Sequence, residues 1–197
     1  MGLIEKKKNE KRQKLLNSAY ACFTKQGISN TSIAEICRMA SVAKGTFYLY
    51  FRDKEDIARA LNQKLTFQLL NDSFAHMNQV RSPHFCENLI RMADFVILRF
   101  EEDIDLIRFI HRDFVWPIRA DQFSFAQEKD RIPGLETVQN YALSAGLTTE
   151  TVLLRIYCMI AMIISVSYDA IVEHDPSSIQ EMRPVLYSII QSSFPDA

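Results

Sequence analysis

Residues 31–54 have the sequence TSIAEICRMASVAKGTFYLYFRDK, and this stretch decides the fold. Ser32 and Glu35 have the S-x-x-E spacing of a capping box, in which each side chain accepts a hydrogen bond from a free backbone N–H of the first turn. This spacing predicts a short helix that begins at Thr31 or Ser32. Apolar side chains then recur at i, i+3, i+4 and i+7, which makes one apolar helical face. They are Ile33, Ile36, Cys37 and Ala40.

A second short helix is predicted after Ser41 and Val42, whose small, turn-compatible side chains break the first pattern. In this second helix, Val42, Phe47 and Phe51 are expected to face inward. The outward side chains are Lys44, Thr46, Tyr48 and Tyr50. Two short helices joined by a tight turn, with hydrogen-bond donors on the outer face of the second, are typical of a helix-turn-helix that reads DNA.

This segment resembles the DNA-binding domain of the TetR (tetracycline repressor) family of one-component bacterial regulators. The matching residues are Thr31-Ser32-Ile33, Ile36, Val42, the run KGTFYLYF at 44–51, and Lys54-Glu55. The resemblance covers roughly the first third of the chain. Ser41 departs from the family pattern because it stands where glycine is frequent, so it must adopt a backbone angle that glycine takes at lower cost. Ala43 stands where serine is usual, so a hydroxyl cap and phosphate contact are absent.

The resemblance also implies which residues contact DNA. Lys44, at the start of the recognition helix, would reach a guanine edge or a phosphate. Gly45 would let the backbone approach the DNA closely, and Thr46 would offer a hydroxyl or a methyl group to a base. Ordinary surface exposure is the alternative for each residue. The full predicted DNA-binding set is Thr31, Ser32, Lys44, Gly45, Thr46, Tyr48, Tyr50 and Lys54.

Composition favours an all-α protein. The chain has 197 residues, of which 48% are hydrophobic and 24% charged, and only five glycines and six prolines are available for the many tight turns of a sheet protein. We expect a three-helix DNA-binding domain at residues 1–52, with its first helix ending at Gly27. A helical ligand-binding and dimerisation domain is expected at residues 53–197, beginning with a long helix capped by Asp53 that runs toward Val80.

Charge is distributed unevenly along the chain. Residues 1–60 contain twelve Lys and Arg against six Asp and Glu, whereas residues 61–197 contain eleven against eighteen. The excess of positive charge at the N-terminal end suits a polyanionic partner, and double-stranded DNA is the partner we expect. A solvated lysine-rich tail is the alternative interpretation of the first residues. No signal-peptide pattern follows Met1, so we expect a cytoplasmic protein.

The second domain is expected to be a series of helices. Ser82-Pro83 predicts a helix start, a further helix begins near residue 102, and Thr148 or Thr149 caps a long helix that ends near His174. Residues 118–134 are an undecided loop, either a gate or a connector. The acidic residues near the second start are attributed to the helix dipole, with a metal site as the alternative. They are Glu101, Glu102, Asp103 and Asp105.

The last two helices, at about 149–194, carry large apolar side chains on more than one face. We expect them to pair with the same helices of a second chain in a homodimer, as the resemblance also implies, with packing inside a monomer as the alternative. Residues 156–168 are the most hydrophobic run, too short for a membrane span, and are predicted to form a buried helix.

The predicted ligand site is an apolar pocket rich in aromatic residues, although ordinary core packing is the alternative for each of them. Its candidate residues are Phe95, Phe109, His111, Trp116, Tyr141 and Tyr157. The effector is expected to be a small molecule. No cofactor or metal is expected. The four cysteines, each expected on an apolar helical face, are interpreted as buried reduced thiols, with a redox sensor or a metal site as the alternative. They are Cys22, Cys37, Cys86 and Cys158.

Sequence motifs of catalysis are missing: the four histidines lack H-x-x-x-H spacing, and neither a glycine-rich phosphate loop nor a G-x-S-x-G turn occurs. We therefore predict a regulator, more specifically a repressor, that binds a pseudo-palindromic operator as a homodimer and is released by a small molecule. One rival is an all-helical ligand-binding or enzymatic protein whose first helices bind another protein. A second rival is a regulator that responds to a protein or to thiol oxidation.

Overall fold

The computed structural model describes residues 3–112 and 134–195. Throughout these ranges the regular elements are helices, which confirms the predicted all-α class. The chain separates into two compact units, Met1–Lys64 and Leu65–Ala197. The sequence placed the boundary at residues 52 and 53, just before the fourth helix, whereas this division includes the first turns of that helix in the N-terminal unit.

The N-terminal unit is built from three helices and the start of a fourth. The helices are α1 (Leu3–Asn30), α2 (Ile33–Met39), α3 (Lys44–Tyr48) and α4 (Lys54–Gln79). Helix α2 packs against both α1 and α3. Leu15 and Leu16 of α1, Ile36 of α2 and Phe47 of α3 are completely buried and form its core. The predicted inward positions of Ile36, Phe47 and Phe51 are therefore confirmed.

Helix α1 is interrupted at the glycine that was expected to end it. Gly27 has φ 80° and ψ 159°, angles far from helical, although hydrogen-bonded helix extends to Asn30. Glycine adopts this positive φ at little cost because it has no Cβ. The resulting kink brings the last residues of α1 to the start of α2, where the Thr31 N–H donates to the carbonyl of Ile28 at 3.2 Å.

The C-terminal unit contains the rest of α4 and five further helices. These are α5 (Phe85–Glu102), α6 (Ile104–Arg112), α7 (Leu135–Ser144), α8 (Thr149–Tyr168), which continues as a π-helical turn (Asp169–Glu173), and α9 (Ile179–Ser193). Helix α8 is central, because α5, α6, α7 and α9 all pack on it. Ile97, Phe100, Ile107, Leu186 and Ile190 are among the completely buried side chains of this core.

Capping residues fix most helix starts where the sequence placed them. Asp53 Oδ1 accepts from the Asp56 N–H at 2.7 Å at the start of α4, and Thr148 Oγ1 accepts from the Thr151 N–H at 3.1 Å before α8. The predicted start at Ser82-Pro83 is wrong, because α5 begins only at Phe85. Ser82 is buried instead, where its N–H donates to Asn88 Oδ1 at 2.9 Å.

The acidic residues between α5 and α6 have protein partners. Asp103 Oδ1 accepts from the Leu106 N–H at 2.9 Å and so caps α6. Glu102 pairs with Arg99 at 2.7 Å, and Glu101 pairs with Arg183 of α9. A capping carboxylate satisfies a free backbone donor and interacts favourably with the positive end of the helix. The helix-dipole interpretation therefore holds at the start of α6, whereas Glu101 and Glu102 end α5 and pair with arginines instead.

Helix α8 is less buried than its sequence predicted. From Thr149 to Glu173 it has the length and hydropathy (1.8) of a membrane span, yet only 33% of the apolar window is buried within the chain. The core helix of a soluble protein passes the same test, so the hydropathy alone does not indicate a membrane. The prediction that all four cysteines are buried is wrong for Cys158. Cys22, Cys37 and Cys86 are buried, but Cys158 is exposed on α8.

Candidate DNA-binding surface and effector cavity

The turn between α2 and α3 has the strained geometry that the sequence predicted. Ser41 has a φ of 55°, in the left-handed region that glycine favours. Two hydrogen bonds close this turn: the Ser41 N–H donates to the Arg38 carbonyl at 3.2 Å and the Val42 N–H to the Cys37 carbonyl at 3.0 Å. Ala43 is the N-cap of α3 and makes no side-chain cap. The first N–H groups of α3 are therefore not capped by the preceding side chain.

Helix α3 exposes the face that was assigned to DNA. Lys44 and Gly45 are exposed, and Tyr48 is 52% exposed. A Cβ built on Gly45 would meet no atom within 4 Å, so the backbone at this position is open to an approaching partner. Phe47, on the opposite face, packs edge-on against Tyr48 with ring centroids 5.5 Å apart. The buried Phe47 thus fixes the helix while the exposed side chains remain available.

Leu49 belongs to this surface but was missed by the sequence reasoning. It directly follows α3 and is 77% exposed, although leucine is usually buried. Gly45, Tyr48 and Leu49 are spaced i, i+3 and i+4, so they share one face of the helix. That spacing was the signal that could have identified it. An exposed apolar side chain on a recognition helix can contact the methyl group of thymine.

The hydroxyl groups of Thr31 and Ser32, both predicted to contact DNA, make hydrogen bonds to the protein backbone. Thr31 is only 2% exposed, and its hydroxyl donates to the Gly27 carbonyl at 2.8 Å. The structure therefore does not present this hydroxyl to a partner, because it is used to close the α1–α2 junction. Ser32 is exposed and its Oγ accepts from the Glu35 N–H at 3.2 Å, as expected of a cap. Glu35 Oε2 accepts a hydrogen bond from Gln26 at 2.8 Å, which ties α2 to α1.

The remaining predicted DNA contacts are half-buried. Thr46 and Tyr50 are partly covered, and the Tyr50 ring lies 6.5 Å from that of Phe51. Lys54 Nζ donates to the Ser29 carbonyl at 3.0 Å, so this lysine ties the start of α4 to the end of α1. The structure brings Ser32, Lys44, Gly45, Tyr48 and Leu49 to exposed positions of one helix-turn-helix.

The C-terminal unit contains a partly open cavity of about 120 Å³ that lies between α4, α5, α6, α7 and α8. The α4 side chains that reach it follow a helical stripe, at positions 66, 69, 70, 73, 74 and 77. Its lining is mostly apolar and includes Met77, Met92 and Met159, and methionine adapts readily to ligands of different shape. The residues that line it include Leu69, Leu70, Phe74, Met77, Met92, Val96, Ile110, Leu153, Ile156, Met159, Ile160 and Ile163.

The predicted ligand-site aromatic residues that the structure describes do not line this cavity. Phe95 stacks near His76 with ring centroids 5.1 Å apart, His111 stacks on Tyr168 at 3.9 Å, and Phe109 is part of the buried core. Tyr157 is exposed, and Trp116 lies outside the described residues. The buried Tyr141 stacks on Phe85 at 4.1 Å and donates its hydroxyl to the Pro195 carbonyl at 3.0 Å.

A second, more polar cleft of about 550 Å³ lies next to Tyr141. It is formed by the segment before α5 and by α7, and its lining includes Arg81, His84, Asn140 and Ser144. Phe85, Asn88 and Thr137 line both this cleft and the apolar cavity. The two spaces are therefore neighbours that share part of their walls.

The thiols of Cys22 and Cys37 are held in their protonated form. Burial raises the pKa of Cys22 and of Cys37, and the neighbouring Glu35 carboxylate raises the pKa of Cys22 further. A thiol with a raised pKa is a poor nucleophile because the thiolate is the reactive species. This favours packing over a redox role for these two cysteines. Among the described residues, no group of three or more His, Cys, Asp or Glu side chains could hold a metal ion.

Comparison with known proteins identifies the family of the N-terminal domain. A sequence model of the family described as bacterial regulatory proteins, tetR family, matches residues 15–61, which span most of α1, the helix-turn-helix and the start of α4. The chain carries a TetR-family DNA-binding domain. Its N-terminal unit thus has the DNA-binding domain of the family, and the resemblance inferred from residues 31–54 is confirmed.

Curated relatives match in the same region. The transcriptional regulator AcrR of Shigella flexneri is 44% identical over 48 residues, which are 24% of this chain and 22% of AcrR. The fatty acid metabolism regulator protein of Bacillus subtilis is 36% identical over 56 residues, which are 28% of this chain and 29% of that protein. The matches thus span less than a third of the length of either relative. Both are named as regulators, which agrees with the expectation of a regulator rather than an enzyme.

Solved structures extend the likeness of the fold to nearly the whole chain. A TetR-family regulator from Shewanella has a TM-score of 0.64 at 17% identity and covers 93% of this chain and 97% of its own. The Bacillus subtilis regulator FadR, solved in complex with stearoyl-CoA, has a TM-score of 0.60 at 16% identity and covers 92% and 98%. At these identities the likeness concerns the fold alone, and it confirms the helical second domain of the TetR-family fold.

Proposed function

We propose that this TetR-family protein is a homodimeric transcriptional repressor that binds a pseudo-palindromic operator and leaves it when a small apolar molecule occupies the cavity. The exposed face of α3 supports the DNA-binding part most strongly. Lys44 supplies a cation, Tyr48 a hydroxyl and Leu49 an apolar contact on a helix held by the buried Phe47. These are the side-chain types that recognise phosphates and base edges in the major groove.

A homodimer is supported by the uncovered surface of α8. Leu154, Tyr157 and Cys158 are exposed and, together with Ala161 and Ser165, occupy one stripe at helical spacing. Small residues such as Ala161 and Ser165 allow two helices to approach closely. An apolar stripe on the most hydrophobic helix of a soluble protein is typical of a subunit interface.

Helix α9 extends this surface in the same way. Val185 and Ile189 are exposed large apolar side chains at i and i+4, although α9 packs on α8. Arg155 of α8 donates to the Ser193 carbonyl at 2.9 Å, which helps to hold the two helices as one hairpin. We propose that two copies of this hairpin form a four-helix interface, as in other helix bundles.

The effector is proposed to be hydrophobic because almost the entire lining of the cavity is apolar. An engineered apolar cavity of about 150 Å³ stays dry and binds benzene, so a cavity of this order favours hydrocarbon over water. The FadR structure with stearoyl-CoA supports the idea that this fold accommodates a ligand with a long apolar chain. In the cell, this protein would be cytoplasmic, where its operator and effector are both accessible.

Release from the operator follows from differential binding. An effector shifts a two-state equilibrium only when it binds one state more tightly than the other. We propose that the effector favours a dimer whose two recognition helices are not spaced for half-sites about 34–36 Å apart. Operator affinity would then fall by the ratio of the effector affinities for the two states.

Salt titration tests the DNA-binding function. The full chain is titrated into a duplex selected from a random library, and fluorescence anisotropy is recorded at several salt concentrations. Neutralisation of phosphates by the basic N-terminal unit predicts that log affinity falls linearly with log salt, by about 0.9 for each phosphate contacted. If no duplex is enriched and no salt-dependent affinity is measured, the proposal is wrong and an all-helical protein with another partner is favoured.

A further inference from the structure

We propose that the apolar cavity and the polar cleft beside it form one binding site for a straight-chain amphiphile, with the alkyl chain in the cavity and an anionic head group at Arg81. This inference rests on the proposed effector function and names the chemical class of the effector. It is carried by the three residues that line both spaces, Phe85, Asn88 and Thr137.

The cavity is suited to an alkyl chain because polar side chains that line it already make hydrogen bonds within the protein. Asn88 Nδ2 donates to the Ser82 carbonyl at 2.8 Å and to the His84 carbonyl at 3.0 Å, while Asn88 Oδ1 accepts from the Ser82 N–H. The Ser73 hydroxyl donates to the Leu70 carbonyl at 2.8 Å. A polar ligand group placed here would lose its bonds to water without equivalent replacements, which is unfavourable.

The volumes of the cavity and the cleft indicate which part of the ligand each of them would hold. A site for a whole drug-sized molecule usually encloses about 300–1,000 Å³, well above the 120 Å³ of the cavity. A slender hydrocarbon segment fits the smaller space. The adjoining cleft has about 550 Å³ and a mixed polar lining, so it has the room and the chemistry for the remainder of the ligand.

Arg81 gives the cleft its preference for an anion. It is exposed on the segment before α5, and its Nη2 donates to Thr137 Oγ1 at 3.3 Å. Among the described residues, this long bond uses one of the five N–H donors of the guanidinium, and the planar fork of the group matches a carboxylate or a phosphate. Because Thr137 lines both spaces, this contact places the guanidinium where the cavity meets the cleft.

Binding is tested without DNA by isothermal titration calorimetry of the full chain. The probes are octanoate, octyl phosphate, octanol and octyltrimethylammonium, which share one chain and differ in head group. We expect both anions to bind more tightly than octanol and octyltrimethylammonium to bind most weakly. Arg81→Gln should lower octanoate affinity about three- to tenfold and leave octanol affinity unchanged, since a partly exposed charge pair contributes modestly. Arg99→Gln, which removes a surface arginine outside both spaces, should change neither.

The tail position is tested by two variants that narrow the cavity, Met92→Phe and Ile160→Phe, each checked for unchanged helical content. At least one folded variant should lose affinity for octanoate and octanol alike. Equal binding of all four head groups, or an octanoate affinity that Arg81→Gln leaves unchanged, would overturn the proposal. If octanoate binds as expected but does not release operator DNA, the effector function fails while this site stands. If another apolar molecule releases DNA and no amphiphile binds, the site fails while the effector function stands.

Discussion

Replacing Ser41 by glycine should stabilise the N-terminal unit. Ser41 has a φ of 55° in the turn before α3. A residue with a Cβ pays about 1–2 kcal/mol for the left-handed conformation, whereas glycine pays almost nothing there. Glycine also loses more chain entropy on folding, by about 0.5–1 kcal/mol. The difference predicts a net gain of about 0.5–1 kcal/mol in the free energy of unfolding.

The gain is measured by urea unfolding followed by far-UV circular dichroism, together with amide hydrogen exchange of peptides from residues 31–52. Ser41→Ala is the matched variant, because alanine keeps the Cβ and therefore the strain, and it should show no gain. Ala34→Gly is the second control: Ala34 is exposed within α2, where glycine should cost about 0.5–1 kcal/mol. If Ser41→Gly unfolds at the same or lower urea concentration than wild type, the strain argument is refuted.

Three further predictions concern other parts of the chain. Thr31→Val should lower the free energy of unfolding by about 1–2 kcal/mol, because the buried hydrogen bond to the Gly27 carbonyl is lost. The folded variant should keep its DNA affinity. A large loss of affinity would show instead that Thr31 contacts DNA. Tyr157→Asp should convert the dimer to a monomer, as measured by multi-angle light scattering. Leu143→Asp changes another exposed large hydrophobic residue, outside the last two helices, and should leave the dimer intact. A monomeric wild type would contradict the proposed interface. Ser178→Ala removes the capping box of α9 and should cost about 1 kcal/mol in thermal unfolding, so an unchanged melting temperature would contradict that role.

The helix-turn-helix could be predicted from sequence because its determinants are local. The Ser32 cap, the turn at Ser41 and the spacing of Ile36, Phe47 and Phe51 act within a few residues of one another. Each signal depends on backbone geometry that neighbouring residues decide. The sequence did not indicate that the hydroxyl of Thr31 donates to the Gly27 carbonyl, because that contact depends on the non-helical backbone of Gly27 within α1.

The effector cavity could not be predicted in the same way, because a cavity is the space that packed helices leave unfilled. Aromatic content indicated Phe95, Phe109 and Tyr141, but these large side chains fill space and stack on neighbours. The lining comes instead from apolar stripes on five helices, and these stripes have the same composition as an ordinary core. Only the relative placement of the helices shows that Met92 and Ile160 border open space.

The sequence also could not predict that the apolar stripe of α8 is exposed in the single chain. Its hydrophobicity predicted burial, and the sequence could not tell burial within one chain from burial between two. Leu154, Tyr157 and Cys158 are exposed in the single chain. The proposed dimer would cover them, so alkylation of Cys158 should be slow in the wild-type dimer and fast in a monomeric Tyr157→Asp variant.

The most direct test of the central proposal, that the exposed face of α3 reads DNA, is the operator affinity of Lys44→Ala and Tyr48→Ala. The measurement uses a duplex enriched from a random library, fluorescence anisotropy at fixed salt, and Arg108→Ala as a control in the C-terminal unit. We predict that each of the first two substitutions costs about 1–3 kcal/mol of binding free energy and that the control binds like wild type. Wild-type affinity in both Lys44→Ala and Tyr48→Ala would contradict the assignment of this surface to DNA.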